Sequence, residues 1–176
     1  MIAAVVLAAG AATRFGGPKQ ELLLPRVLER LAASPVDEVV VVAGAYELEA
    51  EGAHVVQCPE WQRGRGASLR CGLTALTDEV EAAVVCLADG PNLAPRSVGR
   101  VLSAWRVGAG AIVAASYAGN RGHPVAVSRP VWATVPDEGL HALPATLVPC
   151  DDLGSPGDVD AADDIGRLHP PLDENS

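Results

Sequence analysis

Ile2-Ala3-Ala4-Val5-Val6-Leu7-Ala8-Ala9-Gly10-Ala11-Ala12-Thr13-Arg14-Phe15-Gly16-Gly17-Pro18-Lys19 is an apolar run that leads directly into a glycine-rich turn. The run Ile2–Ala9 is almost continuously apolar, which is typical of a strand buried on both faces of a parallel sheet. Such a strand delivers the turn that follows it to the carboxyl edge of the sheet. Open α/β sheets bind their ligands at that edge.

Three more apolar runs have the same character: Val39–Ala43, Ala82–Ala88 and Ala111–Ala115. Between the runs, apolar residues recur at helical spacing in three groups, which are Val27, Leu28 and Leu31, then Leu69, Leu73 and Leu76, then Val98, Val101, Leu102 and Trp105. The first group follows Pro25 and predicts a short helix behind that proline. The order of these elements predicts an α/β fold, a Rossmann-like doubly wound and mostly parallel sheet flanked by helices.

The second half of the chain gives weaker signals. We expect strands at Gly122–Val127 and Ala145–Cys150, a loop over residues 151–160, and a short helix at Ala161–Leu168. No repeat or long linker divides the chain, so we predict a single domain over residues 1–169 and a disordered tail over residues 170–176.

The composition and net charge of the chain limit the kinds of partner that it is expected to bind. The chain has 176 residues, 49% of them apolar, and a net charge of −9. An acidic protein of this kind is not expected to bind nucleic acid or an anionic membrane surface, although local cations can still hold a triphosphate. No apolar stretch reaches the roughly 18 residues of a membrane helix, and the first residues lack the basic segment of a signal peptide. We therefore expect a cytoplasmic protein.

The four cysteines are Cys58, Cys71, Cys86 and Cys150, and none are spaced as a CxxC pair. Cys86 lies inside an apolar run, which indicates a core residue. Free buried thiols in a reducing compartment are the expectation, rather than a disulfide or a zinc site.

The glycine-rich turn carries two cations, Arg14 and Lys19. Small residues let backbone N–H groups approach anionic oxygens, and a guanidinium can bind two phosphate oxygens at once. The turn is neither a Walker A loop nor a GxGxxG motif. A glycine-rich turn alone would be read as a connector; the two cations favour a phosphate-binding loop.

These residues resemble the signature loop of the NTP-transferase superfamily, and four later segments extend the likeness toward molybdenum cofactor cytidylyltransferase-like proteins. The segments are Cys58-Pro59-Glu60-Trp61 with Gly64, Gly66, Ser68 and Leu69; Leu87-Ala88-Asp89-Gly90-Pro91; Gly122-His123-Pro124-Val125; and Asp158-Val159-Asp160 with Asp163. The resemblance covers nearly the whole chain in order, and it implies the nucleotide-diphospho-sugar transferase type of fold.

The resemblance also implies roles for particular residues. The implied catalytic residues are Arg14, Lys19 and Asp89. The implied nucleotide-binding residues are Leu7, Ala8, Ala9, Gly10, Arg14, Lys19, Gly66 and Ser68. Asp89 and Asp160 would hold Mg²⁺, with Asp158 as the alternative to Asp160, and His123 would contact the acceptor. From the residues alone, Ser68 is explained equally well as a helix N-cap. Trp61 is interpreted as a packing residue, with a wall of the nucleotide pocket as the alternative, and Arg70 is expected on the outer helix face.

The implied activity is transfer of a nucleoside monophosphate from an NTP, with CTP favoured, to a phosphorylated acceptor such as molybdopterin. A related transferase with a sugar-phosphate or phospholactate-type acceptor is one alternative. Another is a non-catalytic nucleotide-binding chaperone for a molybdoenzyme. The chain departs from the family pattern by a shortened segment after Lys19 and by Gly90 in place of glutamine.

Overall fold

The computed structural model describes residues 1–10 and 19–157, with the side chains of residues 19 and 20 left aside. Over these residues the strands are β1 (Ile2–Ala8), β2 (Glu38–Ala43), β3 (His54–Gln57), β4 (Ala82–Leu87), β5 (Ile112–Tyr117), β6 (Asn120–Ser128) and β7 (Thr146–Pro149). The helices are α1 (Lys19–Ala32), α2 (Arg65–Thr74) and α3 (Pro95–Arg106). The predicted order of elements is confirmed, whereas the predicted helix at Ala161–Leu168 and the tail at 170–176 lie outside the described residues.

The strands form one mixed sheet in the order β3-β2-β1-β4-β6-β5-β7. β3, β2, β1 and β4 run parallel, and β6 is antiparallel to both of its neighbours, β4 and β5. The predicted doubly wound, mostly parallel sheet is therefore confirmed. The chain passes from β1 to β2 through α1 and then returns from β3 through α2 to β4, on the other side of β1. The carboxyl ends of β1 and β4 therefore mark the switch point where such sheets bind ligands.

The core has two layers, one on each face of the sheet. Alternate residues of β1 take part in both: Ala4 and Val6 pack with the α1 and α3 side, while Val5 packs with α2. Gly72 of α2 lies so close to the sheet that a Cβ there would be 2.6 Å from a Val42 methyl group. The helix that carries part of the predicted site is therefore held tightly against β1 and β2.

Helix α1 differs from its prediction, because it begins at Lys19 and contains Pro25 rather than following it. A proline inside a helix costs about 3 kcal/mol. Leu23 and Leu24 before the proline are 1% exposed, and Leu31 after it is fully buried. Burial of one leucine contributes about 2 kcal/mol, so packing of this apolar face outweighs the cost of the proline.

The cysteine prediction is half wrong. Cys86 is a buried core thiol, as expected, and burial raises its pKa to about 12. Cys58 and Cys71, however, form a disulfide with their Cα atoms 5.8 Å apart. Cys58 follows β3 and Cys71 lies in α2, and the packing of α2 on the sheet brings the two together, which their spacing in sequence did not indicate. Cys150 is buried and free.

Over the described residues, no helix combines the length and the apolar character needed to cross a membrane.

Candidate active site

The site lies at the carboxyl edge of the sheet, where β1 and β4 end side by side. The Ala88 N–H donates to the Leu7 carbonyl over 3.1 Å, and the Ala45 N–H donates to the Ala9 carbonyl over 3.2 Å. These bonds hold the segment Leu7–Gly10 in place after β1 and set Asp89, the residue after Ala88, beside it. Two cavities open at this edge.

The smaller cavity has a volume of about 330 Å³ and lies against the end of β1. It is lined by Leu7, Ala9, Gly10, Trp61, Gly64, Arg65, Ser68, Leu87, Ala88 and Asp89. Five of the predicted site residues therefore line the same cavity: Leu7, Ala9, Gly10, Ser68 and Asp89. Ala8 lies beneath the cavity as a buried core residue, 4% exposed, and is not among its lining residues.

Trp61 forms one wall of this cavity, so it is more than a core residue. Its approach depends on Gly44 at the end of β2. A Cβ on Gly44 would lie 2.7 Å from Ala9 and 2.7 Å from the Trp61 ring. The Gln57 amide donates a 2.7 Å hydrogen bond to the Gly44 carbonyl and fixes this point. The Trp61 ring and the segment Leu7–Gly10 can approach each other this closely only because Gly44 has no side chain.

The start of α2 is held by the segment 135–137. A Cβ on Gly66 would lie 1.6 Å from the Pro136 carbonyl oxygen, and the Gly66 N–H donates to the Asp137 carbonyl over 2.9 Å. Gly66 is thus a contact that positions the helix; it does not line either cavity. Ser68 is not an N-cap, because that position belongs to Gly64. Its hydroxyl-bearing side chain is buried at the wall of the smaller cavity.

Arg70 is not on the outer face of α2, contrary to the prediction. Its guanidinium donates to the Val135 carbonyl over 2.5 Å and pairs with Asp137, which also pairs with Arg63 over 3.0 Å. The hydrogen bond from Arg70, with a second one from Arg63, lowers the pKa of Asp137. These two arginines fasten α2 to the loop that walls the second cavity.

The larger cavity has a volume of about 920 Å³ and lies between β4, the start of β6 and the loop over residues 138–141. Its lining is mixed, and the charged and polar side chains in it are Arg65, Asp89, Asn120, Arg121, His123, Glu138, His141 and Ser155. Because β6 is antiparallel to β4, its first residues lie beside the end of β4. His123 therefore faces the same cavity as Asp89.

His123 is held by Tyr117, whose hydroxyl donates a 2.9 Å hydrogen bond to the His123 carbonyl. The imidazole is withdrawn from water and lies near the positive charges of Arg65 and Arg121. Burial and these charges lower its pKa to about 4, against the opposing effect of Asp89. A pKa this low makes His123 neutral at pH 7 in the absence of a bound anion.

Asp89 fits a hard divalent cation, since Mg²⁺ prefers oxygen ligands and takes few of them from protein. Within residues 1–10 and 19–157, no three His, Cys, Asp or Glu side chains come together as a metal site. Arg14, Asp158 and the second predicted ligand, Asp160, lie outside the described residues. Lys19 is the first residue of α1, but its side chain also lies outside the described part of the chain.

The structure explains why position 90 is a glycine, which the sequence did not reveal. The Asn92 N–H donates to the Pro156 carbonyl over 3.0 Å, and a Cβ on Gly90 would lie 3.1 Å from the Pro156 Cβ. A glutamine at this position would press against Pro156. The substitution therefore admits the segment 155–157 to the rim of the larger cavity, immediately before Asp158 in sequence.

Sequence reasoning missed several residues at these cavities, which are Arg65, Tyr117, Arg121 and Glu138. The position of Arg65 inside a glycine-rich turn is a signal that was available, since the same combination drew attention to Arg14. Tyr117 and Arg121 reach the cavity through the antiparallel pairing of β5 with β6, and Glu138 reaches it through the loop over residues 138–141. No local pattern indicates either.

The family described as "MobA-like NTP transferase domain" matches residues 4–143. A comparison with curated protein sequences gave no match.

Solved structures with the same architecture include Rv0371c from Mycobacterium tuberculosis H37Rv, 29% identical over 94% of this chain and 95% of that chain, with a TM-score of 0.80. A manganese complex of Rv0371c is 28% identical over 95% of this chain and 97% of that chain, with a TM-score of 0.74. A nucleotidyl transferase from Methanothermobacter is 19% identical over 95% of each chain, with a TM-score of 0.71, which is a likeness of fold.

Proposed function

Because the chain belongs to the MobA-like NTP transferase family, we propose that it moves a nucleoside monophosphate from an NTP, preferably CTP, to a phosphorylated acceptor such as molybdopterin. The observation that carries this proposal is the meeting of two cavities at Asp89. A transfer between two bound substrates needs two adjoining pockets with a charged group where they join.

The smaller cavity suits the nucleotide, because it lies against the segment Leu7–Gly10 and the buried Ser68. Backbone N–H groups there can point at phosphate oxygens, and Trp61 offers a flat apolar wall. Arg14 and Lys19 follow in sequence and would hold the phosphates that leave. The larger cavity, with His123 on its rim, suits the acceptor.

In the reaction, an acceptor phosphate oxygen attacks the α-phosphorus of the NTP. The new P–O bond forms as the bond from the α-phosphorus to the bridging oxygen breaks, and pyrophosphate leaves. A phosphate monoester is already ionised at pH 7, so the chain need not supply a general base. Neutral His123, fixed by Tyr117, can donate one hydrogen bond to the acceptor. Positioning and electrostatics supply most of the rate.

We assign a divalent cation, Mg²⁺, to Asp89 and Asp160. When bound there with the substrate phosphates, it would neutralise the negative charge that develops in transfer. The manganese complex of Rv0371c supports a divalent metal in a related protein. We place the reaction in the cytoplasm, with a molybdoenzyme as the eventual recipient.

The test is a pyrophosphate-release assay with each of the four NTPs and Mg²⁺, in the presence of molybdopterin, a sugar phosphate or phospholactate. We expect release with CTP and molybdopterin. Release with another acceptor alone would reassign the acceptor. Tight NTP binding with no release from any pair would favour the chaperone alternative and contradict an enzyme.

A further inference from the structure

Arg65 occupies the border between the two cavities. Among the described residues, four line both cavities, namely Leu7, Arg65, Leu87 and Asp89, so Arg65 is the one cation in this set. Arg65 is the first residue of α2, and its side chain is exposed. Its Cβ lies 3.5 Å from the position that a Cβ on Gly139 would take, so the loop over residues 138–141 packs beside it.

The arginines around it have partners, and Arg65 has none within the described part of the chain. Arg63 pairs with Glu60 and Asp137, and Arg70 pairs with Asp137 and the Val135 carbonyl. Those bonds, with the close contact of Gly66, fix the backbone of Arg65 without using its own guanidinium. Because Asp137 is already taken by Arg63 and Arg70, the Arg65 guanidinium is left to face the cavities.

We propose that Arg65 holds phosphate oxygens of both substrates at the point of transfer, one from the NTP α-phosphate and one from the acceptor phosphate. The inference rests on the proposed function and adds a catalytic residue to it. The guanidinium presents several N–H donors in a plane, so a single side chain can bind two anionic groups at once. Two phosphates brought within bonding distance repel each other, and a cation between them offsets that repulsion.

The electrostatics of the site agree with this position. The charge of Arg65 reaches into the acceptor cavity, since it is among the causes that lower the pKa of His123. Asp89, the other charged group at the border, lies where a divalent cation would bind. A negative phosphate at the border would thus lie between the guanidinium and the metal-binding carboxylate.

The experiment uses two probes on the full chain, and neither requires a known acceptor. The first is α,β-methylene-CTP, which cannot release pyrophosphate, titrated with Mg²⁺ by calorimetry. The second is inorganic phosphate, titrated into protein saturated with that analogue. Arg65→Gln removes the charge and Arg65→Lys keeps the charge without the planar group. Arg106→Gln, at the exposed end of α3 and away from both cavities, controls for loss of one positive charge.

We expect Arg65→Gln to weaken both probes about tenfold or more, Arg65→Lys to lie between it and the wild type, and Arg106→Gln to match the wild type. All variants should melt as the wild type does, because the Arg65 side chain makes no bond within the described structure. Loss of affinity for one probe alone, or phosphate that does not bind the saturated wild type, overturns the bridging role. Unchanged affinity for both overturns any role. If the wild type binds neither α,β-methylene-CTP nor the same analogue of ATP, GTP or UTP, the proposed function itself falls, and Arg65 with it.

Discussion

Gly66 and Pro136 are in contact so close that a Cβ on the glycine would lie 1.6 Å from the proline carbonyl oxygen. This contact joins the start of α2, which borders the proposed nucleotide cavity, to the loop that leads to the acceptor cavity. Backbone cannot yield as the end of a flexible side chain does, so the absence of a side chain at position 66 sets the distance between the two walls.

Gly66→Ala should therefore lower the free energy of unfolding by about 2 kcal/mol or more, the cost of forcing an extra methyl group into packed structure. Affinity for the NTP should fall as well, because α2 must move. The matched control is Gly99→Ala in α3, whose nearest neighbour to a new Cβ is 3.9 Å away. There the better helix propensity of alanine should stabilise by about 0.5–1 kcal/mol. Chemical denaturation measures the free energy of unfolding of both variants, and equal changes in the two would contradict the close contact at Gly66.

The Cys58–Cys71 disulfide closes a loop with a sequence separation of 13, and this loop contains Trp61 and the start of α2. Chain entropy predicts a stabilisation of about 3 kcal/mol for a loop of this size. Reductant should therefore lower the melting temperature of the wild type and leave a Cys58→Ser, Cys71→Ser double variant unchanged.

A thiol count gives an independent check of the same bond. Protein purified and denatured without reductant should show two free thiols, Cys86 and Cys150, and four after reduction. Disulfides are uncommon in cytosolic proteins. Four free thiols before reduction would show that the bond does not form under the conditions of purification.

The sheet could be predicted from sequence because its central strands are buried on both faces. The runs at β1, β2 and β4 are almost continuously apolar, and their residues Val5, Val41 and Val84 are fully buried. Turn glycines then mark where each strand ends. Segments that follow such strands, Leu7–Gly10 and Asp89, could be assigned to one sheet edge for the same reason, and they do lie together there.

Residues brought to the site by tertiary contacts could not be predicted in the same way. The side chain of Arg70 points toward Val135 and Asp137 because a loop from much later in the chain packs on α2. Charge and spacing within α2 carry no information about that loop. The neutral state of His123 could not be predicted for a related reason, since the burial and neighbouring cations that lower its pKa arise only when β6 pairs with β4.

His123 should make stability depend on pH. Its pKa falls from the ordinary value of 6.5 to about 4 in the folded protein, so the unfolded chain binds more protons between these values. Stability from this group is therefore fully present above pH 6.5 and is lost as the pH falls toward 4. At 1.36 kcal/mol per pKa unit, the loss is on the order of 3 kcal/mol.

The measurement is the free energy of unfolding of the wild type and of His123→Asn at pH values from 4 to 8. Other acidic groups whose pKa is lowered, such as Asp137 and Asp152, titrate in both proteins and cancel in the comparison. The wild type should lose more stability than the variant between pH 6.5 and 4. Parallel curves would mean that the imidazole is solvated in the folded protein.

Asp89 should be essential for metal-dependent transfer and dispensable for folding. It follows β4 at the border of the two cavities, where a divalent cation would contact the phosphates of both substrates. Asp89→Asn keeps the shape of the side chain and removes the charge that holds the cation. Loss of several kcal/mol of charge stabilisation in the transition state corresponds to a hundredfold or greater fall in kcat.

The control is Asp78→Asn, the same chemical change at a fully exposed carboxylate 3.5 Å from Arg129, which should leave kcat unchanged. Asp160→Asn should resemble Asp89→Asn with a smaller loss, because the metal would retain one of its two proposed ligands. Raising the Mn²⁺ or Mg²⁺ concentration should restore part of the rate in both variants if each carboxylate binds the metal, since weaker binding is offset by mass action.

An Asp89→Asn protein with wild-type turnover would show that the Asp89 carboxylate takes no part in the reaction. A comparable loss in Asp158→Asn, with Asp160→Asn fully active, would move the second ligand to Asp158. If Asp89→Asn loses activity and no metal concentration restores it, Asp89 takes part in the reaction near the phosphates without binding the metal.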